Sequence, residues 1–232
     1  MELLLSGFTH ALYLLFSGEK DVYTITLLTL KVSFTAVMIS SFIGLPLGGV
    51  LGLTSFSGRR FLLVLVNIGM GLPPVVAGLW ITMLLWRSGP LGDYSLLFTP
   101  PAIICAQVLV SLPIIIGLTC SAFQKLDSQI LLHLKALGAT RSQAFLILLK
   151  EAKIGILAAI IAGFGRIMAE VGAAMMVGGN IQGDTRILTT SIVMEVSKGN
   201  FEVALALSFI LMILSFTITF FLTFLQQGKE TR

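Results

Sequence analysis

Charge is scarce in this chain. Lys and Arg number 15 and Asp and Glu 11 among 232 residues, 11% in all, while 56% of residues are hydrophobic. So few ionic groups cannot cover one soluble core of this size, and a mean hydropathy of +1.00 makes a bilayer the natural solvent. Cysteine is nearly missing as well. Cys105 and Cys120 stand too far apart along one apolar stretch to be bridged, which leaves them as packing residues. The two histidines, His10 and His133, have no companions at metal-ligand spacing, so no metal site is expected. No Gly-x-x-x-x-Gly-Lys-Ser/Thr loop occurs, and Gly228-Lys229 lacks both the upstream glycine and the following hydroxyl. The chain is therefore not expected to hydrolyse ATP, and no residue is assigned a catalytic role. A net charge of +4 raises the question of nucleic acid, but the basic residues fall in short loops between apolar runs, which excludes that reading.

What is present is a series of long apolar runs. Five are long enough to cross a hydrocarbon core, which needs about 20 helical residues: 24–53, 61–86, 101–123, 154–179 and 203–225. The expected fold is all-α, a polytopic bundle of five transmembrane helices. Leu3 to Phe16 is too short to cross, and with Glu2 ahead of it does not read as a cleavable signal. It is expected to form an N-terminal interfacial helix on the lipid surface within residues 1–23. Arg59, Arg60, Lys125, Lys135, Arg141, Lys150, Lys153 and the tail 226–232, with Lys229 and Arg232, fall on one side of this bundle, which the basic bias makes cytoplasmic. The N-terminus is then outside and the C-terminus inside, with membrane domain 24–225 between them.

A polar, basic island, 125–153, interrupts the third and fourth runs. Leu131, Leu134 and Leu137 keep helical spacing, as do Phe145, Leu148 and Leu149, and Gly138-Ala139 separates the two patterns. The island therefore reads as helix, small-residue turn, helix, a docking surface for a soluble partner centred on Leu137, Gly138, Ala139, Thr140 and Arg141. This resembles the cytoplasmic loop of permease subunits of ATP-binding-cassette importers, in which Glu-Ala-Ala is followed after three residues by Gly and after nine more by Ile-x-Leu-Pro. Gly138 falls on the motif glycine. Leu132-His133-Leu134 replaces Glu-Ala-Ala, Leu148 replaces Ile, and Lys150-Glu151 replaces Leu-Pro.

A second stretch, Arg166 to Thr190, carries Glu170-Val171-Gly172-Ala173-Ala174, Gly178-Gly179-Asn180-Ile181, Gly183, Thr185-Arg186 and Leu188-Thr189-Thr190. It is similar to the tungstate and molybdate permeases, with sulfate permeases as more distant relatives. Ser17-Gly18 followed by acidic residues, and Val32-Ser33, resemble the tungstate branch. The resemblance implies a type I ABC importer permease of a prokaryotic cytoplasmic (inner) membrane, carrying tungstate or molybdate. It implies as partners a second copy of the chain, two ATPase subunits and an extracytoplasmic oxyanion-binding protein. ATP and Mg would belong to the ATPase, with no cofactor on this chain. It also implies a translocation path or gate at Arg166, Glu170, Gly172, Gly178, Gly179, Asn180, Thr185, Thr189 and Thr190.

Physical chemistry reads the same residues less specifically. Arg166 and Glu170, four apart, share a helix face near mid-membrane and are expected to pair with each other or with polar groups. Three roles remain: a packing pair, a gate, or direct oxyanion contact by Arg166. Lys31 lies about 10 Å inside the first run at 1.5 Å per residue, within reach of snorkelling or of Glu170. Gly44, Gly48 and Gly52 form a close-packing face, and Gly69, Gly71, Pro73, Pro74 and Gly78 a break or kink, either in a pathway or in packing. Leu188, Ile192 and Val196 mark a short amphipathic helix at the outer mouth. Charges near it almost cancel, so a binding protein is expected to deliver any anion. A gradient-driven transporter using Lys31, Arg166 and Glu170 is the rival class.

Overall fold

The computed structural model describes residues 20–227, together with Thr9 and Tyr13, which are helical. In chain order the helices are α1 (Lys20–Leu53), α2 (Arg59–Met70), α3 (Pro74–Leu85), α4 (Pro100–Gln124), α5 (Ser128–Ala136), α6 (Arg141–Glu151), α7 (Lys153–Met168), α8 (Gly172–Gly178), α9 (Leu188–Ser197) and α10 (Phe201–Gln227). Three of them, α1, α4 and α10, are each long and apolar enough to cross a membrane.

Helices α1 and α4 form the most extensive pair, and they run in the same direction. The glycine face of α1 sets their distance. A Cβ on Gly44 would lie 2.9 Å from Ile115 Cγ2, one on Gly48 2.7 Å from the Ile116 carbonyl oxygen, and one on Gly52 2.7 Å from Phe123 Cβ. One turn before Gly44, Ser40 and Ser111 share a buried hydroxyl hydrogen bond of 2.7 Å.

The chain returns between α1 and α4 through two short helices. Gly71, Leu72 and two consecutive prolines cannot continue α2: proline lacks the donor and its ring collides with the preceding turn. The N–H groups of Gly71 and Leu72 close off the last α2 carbonyls, and Pro74 starts α3 afresh. The pair is bent by 104° and still makes one crossing. At the hairpin end, Arg59 Nε donates 2.7 Å to the Leu51 carbonyl at the foot of α1. Midway, Gly69 meets Pro113, and at the far end Leu85 packs with Val32, Ala102 and Ile103. Its two ends therefore sit beside opposite ends of α4.

The fourth crossing is also broken. Going up α7, Gly155 meets Ala122 and Gly163 meets Ile115. The helix ends at Met168, residues 169–171 turn by 60°, and α8 brings Gly178 against Ile103. Finally α10 descends, and Gln226 Nε2 donates 3.1 Å to the Ile154 carbonyl at the base of α7.

Five crossings thus stand where five were expected, with two differences. The fourth is broken rather than continuous, because Ala169-Glu170-Val171 interrupts its hydrogen bonding, while the second carries the break expected at Pro73 and Pro74. The first is longer than expected: α1 begins at Lys20 and has 34 residues, about 51 Å at 1.5 Å per residue. Since Ser40 meets Ser111 and Gly44 meets Ile115 in one register, the first nine residues of α1 project beyond the start of α4. Lys31 is level with Ala102, in the first turn of α4. The interfacial helix expected at Leu3–Phe16 lies outside the described residues, apart from Thr9 and Tyr13, as does the tail beyond Gln227.

Candidate functional site: a docking hairpin and paired helix breaks

At the hairpin end, α5 and α6 occupy the island read as a docking loop. Gly138 takes φ +75°, the left-handed conformation that ends α5, and Ala139 N–H returns to the Leu134 carbonyl at 3.0 Å. Thr140 then caps α6: its Oγ1 accepts from Gln143 N at 3.4 Å, and Gln143 Oε1 accepts from Thr140 N at 2.9 Å. Arg141 is the first residue of α6. The apolar faces of both helices seat Leu134, Phe145 and Leu148 against Phe123 and Ile156. Leu137 is left 83% exposed at the tip. An apolar side chain so exposed beside a turn with nothing within 4 Å of a Gly138 Cβ suits close contact with another protein.

In the membrane interior, the two helix breaks lie side by side. A Cβ on Gly78 would come 2.7 Å from Ala173 Cα, and one on Gly172 2.8 Å from Val75 Cγ2, so α3 and α8 touch almost backbone to backbone. Arg166 Nη2 reaches across to the Leu72 carbonyl at 3.5 Å, the limit of a useful hydrogen bond. Glu170 is 3% exposed, and its Oε1 accepts from Ala173 N at 2.8 Å in the first turn of α8. The expected sharing of one helix face by Arg166 and Glu170 is corrected here. The break falls between them, and among the described residues no ion pair joins them. Each charge instead sits at the helix end that its sign favours, cation at the α7 C-terminus and anion at the α8 N-terminus. A double-mutant cycle tests this separation. Arg166→Ala and Glu170→Ala should add in thermal stability to within about 0.5 kcal/mol, and coupling above about 1 kcal/mol would restore the pair.

The loop after α8 frames the far end. Gly179 (φ +67°) and Asn180 (φ +53°) turn the chain. Thr185 Oγ1 is buried, donating to the Gly178 carbonyl and accepting from Ile181 N. Thr190 Oγ1 accepts from Ile187 N at 3.1 Å. These two hydroxyls hold the loop, whereas Thr189 Oγ1 and Asn180 Oδ1 are buried without a hydrogen-bond partner. Two ties that the sequence did not suggest fix this loop to the projecting part of α1. Thr29 Oγ1 accepts from Leu188 N at 2.9 Å, and Asp21 Oδ2 accepts from Gln182 Nε2 at 2.9 Å. A polar residue at 29 in an apolar run was the available signal. The expected amphipathic helix is α9, with Leu188 packed on Leu207 and Ile210. At its end the Asn200 amide, then the Lys198 ammonium, hold the Glu195 carboxyl below the usual carboxylate range.

Lys31, Arg166 and Glu170 are not assembled into one ion site. Lys31 is exposed and level with Ala102, while Arg166, three residues beyond the Gly163–Ile115 contact, is level with the middle of α4. That is a separation of about 15 Å along the bundle.

Residues 44–231 match the family described as binding-protein-dependent transport system inner membrane component. The chain is 39% identical over 227 residues to the tungstate uptake system permease protein TupB of Peptoclostridium acidaminophilum, covering 98% of this chain and all of that one. It is 34% identical to TupB of Campylobacter jejuni, over 95% and 92% of the two chains. Among solved structures, an inward-facing MetNI methionine ABC transporter superposes with TM-score 0.70 at 21% identity, covering 90% of this chain and 94% of that one, which is a likeness of fold. These findings decide against the gradient-driven class. The chain belongs to the binding-protein-dependent inner-membrane component family, as a permease subunit of ABC importers, which work with ATPase and binding-protein partners, and it is not itself an enzyme.

Proposed function

We propose that this chain forms the membrane path of a tungstate importer, with molybdate the alternative cargo. The near-full-length identity to two tungstate uptake permeases carries the reading. Two copies enclose one path at their two-fold axis, and each offers its α5–α6 hairpin, with Leu137 and Gly138 at the tip, to one ATPase subunit. ATP and Mg belong to that ATPase. An extracytoplasmic oxyanion-binding protein docks at the opposite end, on the 179–200 loop and the projecting turns of α1. The N-terminus is outside and the C-terminus cytoplasmic.

In this arrangement the breaks at 71–73 and 169–171 form the gate. Each is a joint that lets the outer arm of a crossing turn without unfolding the inner arm. Arg166, Glu170 and Gly172 belong to the joint, and Gly178 to Thr190 frame the mouth above it. Selectivity then resides mainly in the binding protein. Reconstituted with its own binding protein and ATPase, the chain should show ATPase stimulation at lower tungstate than molybdate concentrations, and little with sulfate. Stimulation by sulfate or an amino acid with none by tungstate would reject this cargo.

A further inference from the structure

Arg166 is the only Lys or Arg among the described residues that lies level with the middle of α4. By its position on α7 it is about 18 Å from either end of a 25-residue helix. A cation at that depth facing lipid costs several kcal/mol, and such residues face a bundle interior or a water-filled space. Among the described residues no carboxylate pairs with this one. Glu170 has turned to α8, Arg166 Nε is buried without a partner among the described residues, and Nη2 donates over 3.5 Å to the Leu72 carbonyl. Most of its fork of donors is therefore unused.

The surroundings are open. Gly71, Pro73 and Val75 on one break, and Gly165 and Ala169 on the other, are all exposed. Apart from Val75 these are residues with little or no side chain to obstruct access. An exposed surface at mid-membrane that contains a half-buried guanidinium is unsuited to acyl chains.

We propose that Arg166 lies on the wall of the conduction path and makes a transient, charge-assisted contact with a tetrahedral oxyanion in passage. This deepens the oxyanion reading above and rests on it. A dianion midway across has lost the water that stabilised it at the mouth, and a planar guanidinium meets two of its oxygens at once. The long bond to Leu72 is weak enough to exchange for the anion. Cargo thus competes with the strut that joins the two breaks, and its arrival frees them.

The test reads the local field directly. In the assembled permease–ATPase complex, with Cys105 and Cys120 changed to Ala, a cysteine is introduced at Ala169. It is treated with anionic sulfonatoethyl or cationic trimethylammonioethyl methanethiosulfonate, with a chain carrying Ser197→Cys, exposed at the end of α9 away from the ATPase, as reference. The anionic reagent should be favoured at least about tenfold over the reference ratio, and Arg166→Gln should remove most of that preference. Sodium tungstate should slow the anionic reagent in the chain that retains Arg166. Failure of Ala169→Cys to react from water, reaction without charge preference, or no protection by any tetrahedral oxyanion would each overturn the proposal. Protection by sulfate but not tungstate would support the Arg166 contact and reject tungstate as the cargo. Should Arg166→Gln not assemble, the preference in the Arg166 chain against Ser197→Cys still decides the outcome.

Discussion

Gly138→Arg should leave a folded, membrane-inserted chain whose uptake falls at least about a hundredfold. Nothing among the described residues lies within 4 Å of a Cβ at this position, so no clash with them opposes the substitution. The intrinsic cost is the left-handed backbone, φ +75°, about 1–2 kcal/mol for a residue with a side chain. Strain of that size shifts the turn population by about tenfold and does not abolish coupling by itself. The larger part of the loss must come from a long side chain standing between the hairpin tip and its ATPase. Gly138→Asn separates the two effects, because Asn tolerates the left-handed region: it should keep uptake within about threefold of the parent. Equal loss in both variants would make turn strain the whole effect. Normal uptake by Gly138→Arg would remove the hairpin from the docking role.

Gly48→Val carries the second large expectation, on folding rather than coupling. Its Cβ would lie 2.7 Å from both the Ile116 carbonyl oxygen and Thr119 Cβ, and a backbone carbonyl inside a helix cannot move aside as a side-chain terminus can. The two helices would have to separate, opening the Ser40–Ser111 hydrogen bond as well. The cost should be about 3 kcal/mol or more, at the upper end of overpacking, out of a total stability of about 5–15 kcal/mol. Thermal unfolding of the detergent-solubilised chain should show it as a large drop in Tm. Gly165→Ala is the matched control, since nothing lies within 4 Å of a Cβ there, and its Tm should stay close to the parent's. A Gly48→Val chain as stable as the parent would contradict the close α1–α4 approach.

Much of this architecture was legible because lipid imposes simple rules. Apolar length located five crossings, the basic residues separated their ends, and the four-residue glycine spacing identified the face of α1 that meets α4. The 125–153 hairpin was readable for a similar reason, since two leucine-rich helical periods on either side of Gly138 have few other solutions. What was not legible is where a charge finds its partner. Arg166 and Glu170 are one helical turn apart in sequence, and only the break at 169–171 separates them. That break contains no proline, so residue type gave no warning of it. Pro73-Pro74 announced the other break, but not that the Leu72 carbonyl would face Arg166. The resemblance puts Thr185, Thr189 and Thr190 in a path or gate. Thr185 and Thr190 instead spend theirs on backbone, because a tight turn beginning at Gly179 leaves carbonyls and amides that need partners.

The parallel run of α1 and α4 also dictates the order in which the chain can be built. Parallel neighbours have a full return crossing between them, so the glycine face of α1 has no partner when it leaves the ribosome. That return crossing is supplied as two arms of twelve residues each, and neither spans a core of about 30 Å at 1.5 Å per residue. The insertion machinery must therefore accept both arms as one unit across a double proline. Until residue 124 has been synthesised, Gly44, Gly48 and Gly52 remain against lipid, and the earliest helix of the bundle waits through a full return crossing for its closest neighbour.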